Sequence, residues 1–213
     1  MNRSLPAIHV VDDDASFRSA VGELLSACGY KVSLYETAKE LLDASLNGGP
    51  ACILLDVRMA GLSGPQLQEQ LSGLGCRLPI VFISGHGDIP TSVKAIKAGA
   101  EDFLTKPVTK EKLLETVERA LARHEAIQEH DKKLSALRSL YAGLTGRERE
   151  VFALLVKGKP HKQIAYELKI SDRTVKLHRH QIVQKLQVRS LAELAVIAER
   201  LGLPPAPGQS NRL

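Results

Sequence analysis

The hydrophobic rhythm of the chain changes once, a little past its midpoint. Up to about residue 109, short apolar runs at 7–11, 31–35, 51–55, 80–84 and 102–105 read as strands. Between them lie stretches with apolar residues at helical spacing, near 15–28, 37–46, 64–74 and 90–98, with another from about 109. Alternation of strand and helix predicts a parallel sheet covered on both faces. Ile53-Leu54-Leu55 and Ile80-Val81-Phe82-Ile83 are continuously apolar, as strands buried on both sides should be. In the second half the strand pattern is gone, and helices are expected at 145–157, 161–168, 172–185 and 190–201. Thr145 and Glu148 have capping-box spacing. Gly158 closes the first of these helices, and Ser171 is a cap for the third. Thr109 to Leu140 contains neither Gly nor Pro and is dense in Ala, Leu, Glu, Lys and Arg, which predicts one long helix leaving the first domain as a linker. Ile127, Leu134, Leu137 and Tyr141 along it offer an apolar seam to a partner helix. The expected division is therefore a domain at 1–123, a helical linker at 124–141, a second domain at 142–204 and a disordered tail at 205–213.

Composition adds limits. With 44% hydrophobic and 25% charged residues the chain is an ordinary globular protein. It has no apolar run near the roughly 20 residues of a membrane helix and no secretory segment at its start, so a cytoplasmic location is expected. Cys28, Cys52 and Cys76 are isolated and show no metal or redox spacing, which makes them expected small buried hydrophobes. The net charge of +5 hides an asymmetry: residues 1–122 carry 12 Lys and Arg against 15 Asp and Glu, whereas residues 123–213 carry 17 against 9. Only the second half is suited to a polyanion, and charge alone does not say whether that is DNA, RNA or a membrane surface.

The chemistry lies where the strand runs end. The first runs into Asp12-Asp13-Asp14, the third into Asp56, the fourth into Ser84 and the fifth into Lys106. Ligands of open parallel sheets bind at the carboxyl ends of the strands, so these residues share one edge. Three carboxylates brought together call for a cation, and oxygen-only donors point to Mg²⁺. Such a metal would neutralise charge on a transferred phosphoryl group, one carboxylate acting as nucleophile and becoming an acyl phosphate. Lys106 and Ser84 would contact phosphoryl oxygens, and Gly85 leaves room for them. A DDD triplet by itself is often only a loop or a helix cap.

In the basic half, residues 172–186 placed at about 100° each gather Val175, Ile182 and Leu186 on one face, with His178 beside them as a satisfied core histidine. Arg173, Lys176, Leu177, His180 and Gln184 fall opposite. With a short helix before it and the tight turn Lys169-Ile170-Ser171, this reads as a helix-turn-helix. Lys176 can donate to guanine edges and Leu177 can touch a thymine methyl. Arg179, Lys162, Lys185 and Arg189 are expected at phosphates.

The segments His9-Val10-Val11-Asp12-Asp13-Asp14, Leu55-Asp56-Val57-Arg58-Met59, Ile83-Ser84-Gly85-His86-Gly87-Asp88 and Asp102-Phe103-Leu104-Thr105-Lys106-Pro107 resemble receiver domains throughout residues 6–123. Leu144-Thr145-Gly146-Arg147-Glu148-Arg149-Glu150, His161-Lys162-Gln163-Ile164-Ala165 and Thr174-Val175-Lys176-Leu177-His178 resemble the LuxR-type output domain. Together they resemble two-component response regulators of the NarL/FixJ class, and Val175–Leu194 is also similar to regulators of aromatic-compound catabolism. The resemblance implies a flavodoxin-like α/β receiver, a doubly wound five-stranded parallel sheet, joined to an all-α four-helix domain. It implies phosphorylation at Asp56, and Mg²⁺ on Asp12, Asp13, Asp56 and the Arg58 carbonyl. It also implies a switch formed by Ser84, Phe103 and Lys106, a cis Lys106–Pro107 peptide, and dimerisation aided by 190–201. Base contacts carry over to Lys176, Leu177 and His180, in a DNA interface that also takes in Arg173, Thr174, Arg179, Lys162, Lys185 and Arg189. A sensor histidine kinase, promoter DNA, a second copy and RNA polymerase are the implied partners, and self-phosphorylation and dephosphorylation the only catalysis. Two departures stand out: Ala60, where the family usually has proline, slightly loosens the loop after Asp56, and Gly146 replaces a frequent proline. His86 is expected to be a loop residue that influences phosphate lifetime. Three rival readings exist: a phosphorylation-independent dimer module, a haloacid-dehalogenase-type phosphatase using Asp12 and Asp14, and a ligand-sensing LuxR regulator.

Overall fold

The computed structural model describes residues 5–46, 49–85 and 89–203, so His86 and the tail 205–213 lie outside the described residues. The chain divides into two compact units, Met1–Gln128 and Glu129–Leu213. In the first, strands β1 (Ala7–Val11), β2 (Lys31–Tyr35), β3 (Ala51–Asp56), β4 (Ile80–Ser84) and β5 (Asp102–Thr105) alternate with helices α1 (Ala15–Ala27), α2 (Ala38–Asp43), α3 (Gly64–Gly73), α4 (Ile89–Lys97) and α5 (Lys110–Ala142). Every strand pairing is parallel and the order is β2-β1-β3-β4-β5. Alternate strand residues serve opposite layers. Ile8, Val10, Cys52, Leu54, Val81 and Ile83 pack with α1 and α5, while Val11, Ile53, Leu55, Ile80 and Phe82 pack with α2 and α3. That is why the central runs are apolar at every position.

The second unit takes the last turns of α5 together with α6 (Gly146–Val156), α7 (His161–Leu168), α8 (Asp172–Lys185) and α9 (Leu191–Arg200). Its core includes Leu144, Phe152, Ile164, Val175, Ile182 and Leu194. Lys169 turns the chain with a left-handed φ of 53°, and Ser171 caps α8 by accepting the Thr174 N–H. Among the described residues no helix is long and apolar enough to cross a membrane.

Four expectations change. Leu137 and Tyr141 are not a free seam: they pack on the core of their own unit, the Tyr141 ring standing edge-on to Phe152 at 5.3 Å. Residues 124–128, expected in the linker, fall in the first unit, where His124 is buried. Helix α2 is shorter than 37–46, because Thr37 is its cap and Ala44 is already extended. Of the cysteines only Cys52 is buried; Cys76 is half-buried and Cys28, the C-cap of α1, is exposed.

Two close packings hold the functional edges. A β-carbon on Gly64, at the start of α3, would lie 2.3 Å from the Asp56 carbonyl oxygen and 2.9 Å from the Phe82 ring. In the second unit, buried Glu148 accepts the Thr145 N–H at 2.7 Å and both of its oxygens take the Lys185 ammonium, at 2.7 and 2.9 Å. This ties α6 to the end of α8. Burial opposes the Glu148 charge, but the hydrogen bonds from Lys185 and Thr145 outweigh it and hold the carboxyl below its usual range. Because the folded-state pKa is depressed, the stabilisation is present above the ordinary glutamate pKa and is lost as acid passes below the lowered value. Gly64→Ala should destabilise the first unit by about 1–3 kcal/mol in urea unfolding. Glu148→Gln should cost the second unit about 1–2 kcal/mol near neutrality, and the difference from wild type should shrink in strong acid.

Candidate phosphoacceptor pocket and nucleic-acid interface

The strand order puts β1 and β3 side by side with their first crossovers leaving in opposite directions, which opens a crevice at their carboxyl ends. Asp12 follows β1 and Asp56 ends β3; they are 1% and 6% exposed. Lys106, just past β5, reaches across and donates to both, at 2.7 Å to Asp12 Oδ2 and 2.9 Å to Asp56 Oδ1. Its ammonium also lies 4.1 Å from the centre of the Phe17 ring. The remaining oxygens take backbone donors: Asp12 Oδ1 accepts from Asp14 N at 3.0 Å, and Asp56 Oδ2 from Arg58 N at 2.6 Å. The Lys106–Pro107 peptide is cis.

The three aspartates of the triplet have three different surroundings. Asp12 is buried in the crevice. Asp13 is exposed and accepts from Ala60 N at 3.1 Å. Asp14 caps α1, accepting from Ser16 N at 2.9 Å and Phe17 N at 3.2 Å. The cap role removes the second aspartate that a phosphatase reading needs. Ser84 is buried at the end of β4, paired in register with Thr105. Phe103 is half-buried with its ring 6.4 Å from that of Phe82. Among the described residues, a β-carbon on Gly85 would meet nothing within 4 Å.

The expected gathering of carboxylates around a metal is only partly assembled. Among the described residues, no three His, Cys, Asp or Glu side chains stand together as a metal would need. The cation between Asp12 and Asp56 is Lys106, and Asp13 is turned to the Ala60 amide. The donor chemistry nonetheless fits a hard divalent ion: every available ligand is oxygen. Burial pushes the Asp12 carboxyl above its usual range against the pull of Lys106 and the Asp14 N–H. Burial works against the Lys106 charge as well, but its two carboxylate partners win and its pKa is raised. Two buried carboxylates thus share one ammonium, and further positive charge there would be stabilising.

On the second unit, Arg173, Lys176, Leu177 and His180 are exposed on α8, Leu177 by 56%. Lys176 pairs with Asp172 one turn earlier at 2.8 Å, an exposed contact that a stronger anion can displace. Thr174 shares its hydroxyl with Ser171 at 2.8 Å, within the cap. Lys162 is exposed on α7. Arg179 and Arg189 join Lys176 and His180 around a cleft of about 220 Å³. Lys185 is a correction: its ammonium is bound to Glu148, so it holds α8 in place and is not free for a phosphate. His178 is half-buried beside the core as expected, but its Nδ1 is buried with no hydrogen-bond partner among the described residues, so it is not satisfied. Sequence reasoning passed over Phe17 and the Ala60 amide, and took Glu148 only as the capping partner of Thr145, not as the anchor of Lys185. The capping-box spacing of Thr145 and Glu148 was the one available signal.

Comparison with known proteins agrees with this geometry. Residues 8–118 match the response regulator receiver domain and residues 142–198 match the LuxR family of bacterial regulatory proteins. The response regulator protein TmoT of Ectopseudomonas mendocina is 42% identical, over 94% of this chain and 91% of its own. The transcriptional regulatory protein FixJ of Azorhizobium caulinodans is 38% identical over 97% of each. Among solved structures, the response regulator StyR matches with a TM-score of 0.83 at 43% identity, covering 92% of this chain and all of that one. A paired-carboxylate crevice on a receiver sheet, followed by a helix-turn-helix of this type over nearly the whole chain, makes this protein a member of the NarL/FixJ class of two-component response regulators, which act as transcription regulators.

Proposed function

We propose that Asp56 is the phosphoacceptor of this regulator and that its phosphorylation drives dimerisation and promoter binding. The observation that carries the reading is the pair of buried carboxylates, Asp12 and Asp56, bridged by one lysine at the sheet's ligand-binding edge. An Asp56 oxygen attacks phosphorus on a phosphohistidine of a sensor kinase, or on a small acyl phosphate. The bond from phosphorus to the donor breaks, the electron pair leaves with the donor, and an acyl phosphate forms on Asp56. Asp12, Asp13, Asp56 and the Arg58 carbonyl are the residues that would hold Mg²⁺, which when bound neutralises charge on the transferring group.

Lys106 already stands 2.9 Å from the Asp56 oxygen and follows the new phosphoryl oxygens; the Ser84 hydroxyl turns toward them and Phe103 repacks. A dimer presents two output domains together, which raises affinity for paired half-sites through effective concentration. In the DNA complex α8 enters the major groove, with Lys176, Leu177 and His180 at base edges. Arg173, Thr174, Arg179, Lys162 and Arg189 lie at phosphates, and Lys185 stays with Glu148. The reading puts the protein in the cytoplasm with DNA and RNA polymerase, acting on no substrate but its own phosphoryl group.

Sedimentation of wild type and Asp56→Asn, each with and without acetyl phosphate and Mg²⁺, tests it. Wild type alone should pass from monomer to dimer with the phosphodonor, and no shift in wild type rejects the reading. On promoter DNA, Lys176→Ala should lose about 1–3 kcal/mol of discrimination between bases. Arg189→Ala should weaken all sequences alike and flatten the salt dependence by about one phosphate contact. Ala60→Pro removes the N–H that ties Asp13, so Mg²⁺ should bind more tightly to it in a calorimetric titration.

A further inference from the structure

We propose that His124 is a positioning residue: its neutral imidazole pins the part of α5 that leaves the first unit to the start of β3, and protonation releases it. The latch arises from a gap in the sheet. β3 lies between β1 and β4, and Ile53 N donates to the Pro79 carbonyl at 2.9 Å on the β4 side. Two residues earlier, the Ala51 N–H leaves the strand on that same side, where β4 has not yet begun. A buried N–H without an acceptor is costly. His124 supplies one: its Nδ1 accepts from Ala51 N at 2.9 Å, with Ala51 3% and His124 5% exposed.

An accepting ring nitrogen carries no proton, so the neutral ring holds its hydrogen on Nε2; the Gln128 Nε2 3.3 Å away is also a donor, so that approach is a packing contact and not a hydrogen bond. Gln128, one turn further along α5, also donates to the Gly49 carbonyl at 3.4 Å. Consecutive turns of α5 thus grip the chain on either side of Pro50. An imidazolium at 124 would set N–H against N–H and break the first grip.

The surroundings give a charged ring no help. His124 and Gln128 line an open cleft of about 440 Å³ together with residues of the segments 42–46 and 74–78. The charged or titratable groups facing it from the 74–78 segment are Arg77 and Cys76, and the 42–46 segment contributes only the neutral Ser45 among polar side chains. From β3, the Cys52 thiol is neutral, burial pushing its pKa up to about 12. On α5 itself Arg123 is paired with Glu101 and Glu125 is exposed. No carboxylate lines the cleft among the described residues. Burial accordingly holds the His124 pKa below its ordinary value. With the folded value depressed, the stabilisation is complete above the ordinary imidazole pKa and fades as pH falls through the lowered one.

The latch is independent of the phosphorylation reading, and its test uses neither phosphodonor nor DNA. Amide hydrogen exchange on the full chain, corrected for intrinsic rates, is measured at about pH 8 and about pH 5, either side of the imidazole range. Wild type, His124→Asn and His124→Leu are compared; Asn keeps a neutral acceptor near the Nδ1 position and does not titrate. In wild type, acid should speed exchange at Ala51 and across 122–130 by about tenfold and leave Leu54–Asp56 unchanged. His124→Asn should be slow at both pH values and His124→Leu fast at both. Equal protection of wild type at the two pH values overturns the proposal. So does an Asn variant that opens in acid as wild type does, because His9, the other buried imidazole among the described residues, is still present in it. If His124→Leu does not fold, wild type against His124→Asn still decides.

Discussion

Two carboxylates buried side by side are intolerable without compensation, and most of the first unit can be understood as what lets Lys106 compensate them. The repulsion of Asp12 and Asp56 and their loss of water work against folding. A single ammonium contacting both, with the remaining oxygen of each taken by a backbone N–H, answers both problems at once. For this the sheet must place β1 next to β3, and it must bring the end of β5 back across β4. The Phe17 ring under the ammonium and the close fit of Gly64 against the Asp56 carbonyl narrow the space in which the three groups can settle. The arrangement is therefore rigid in its backbone and short of positive charge in its side chains. The phosphoryl group proposed to arrive here would need the first property for positioning, and a cation to offset the second.

Much of this was legible because it follows from period and position. The strand and helix segments follow from their spacing, and the reactive residues from the polar positions at strand ends. What the residues alone did not reveal is how chemically identical groups divide their partners. Asp12, Asp13 and Asp14 look alike in sequence, yet one is buried with a lysine, one is held by the Ala60 amide, and one caps a helix. Ala60 looked like a mere loosening of its loop, whereas its gain over proline is an N–H that reaches Asp13. In the output domain Lys185 was expected at a phosphate, with Arg179, Lys162 and Arg189. Glu148, which is remote in sequence and close in space, binds its ammonium instead. Such assignments depend on tertiary neighbours, and no periodicity within a single helix contains them.

Helix α5 belongs to both units, and its burial pattern shows how. Leu113, Val117, Ala120, Leu121 and His124 face the first core, and Leu137, Leu140 and Tyr141 face the second. Between them residues 129–133, Glu-His-Asp-Lys-Lys, are all exposed, with a Glu129–Lys133 pair at 3.2 Å along the surface. Here the helix carries exposed side-chain pairs such as Glu129–Lys133, each worth a few tenths of a kcal/mol. A segment of this length has little helical stability of its own, so its state is set by how firmly each end is held. The upper end is held by the last buried contacts of the first unit, of which the His124 and Gln128 bonds are the final ones along the chain.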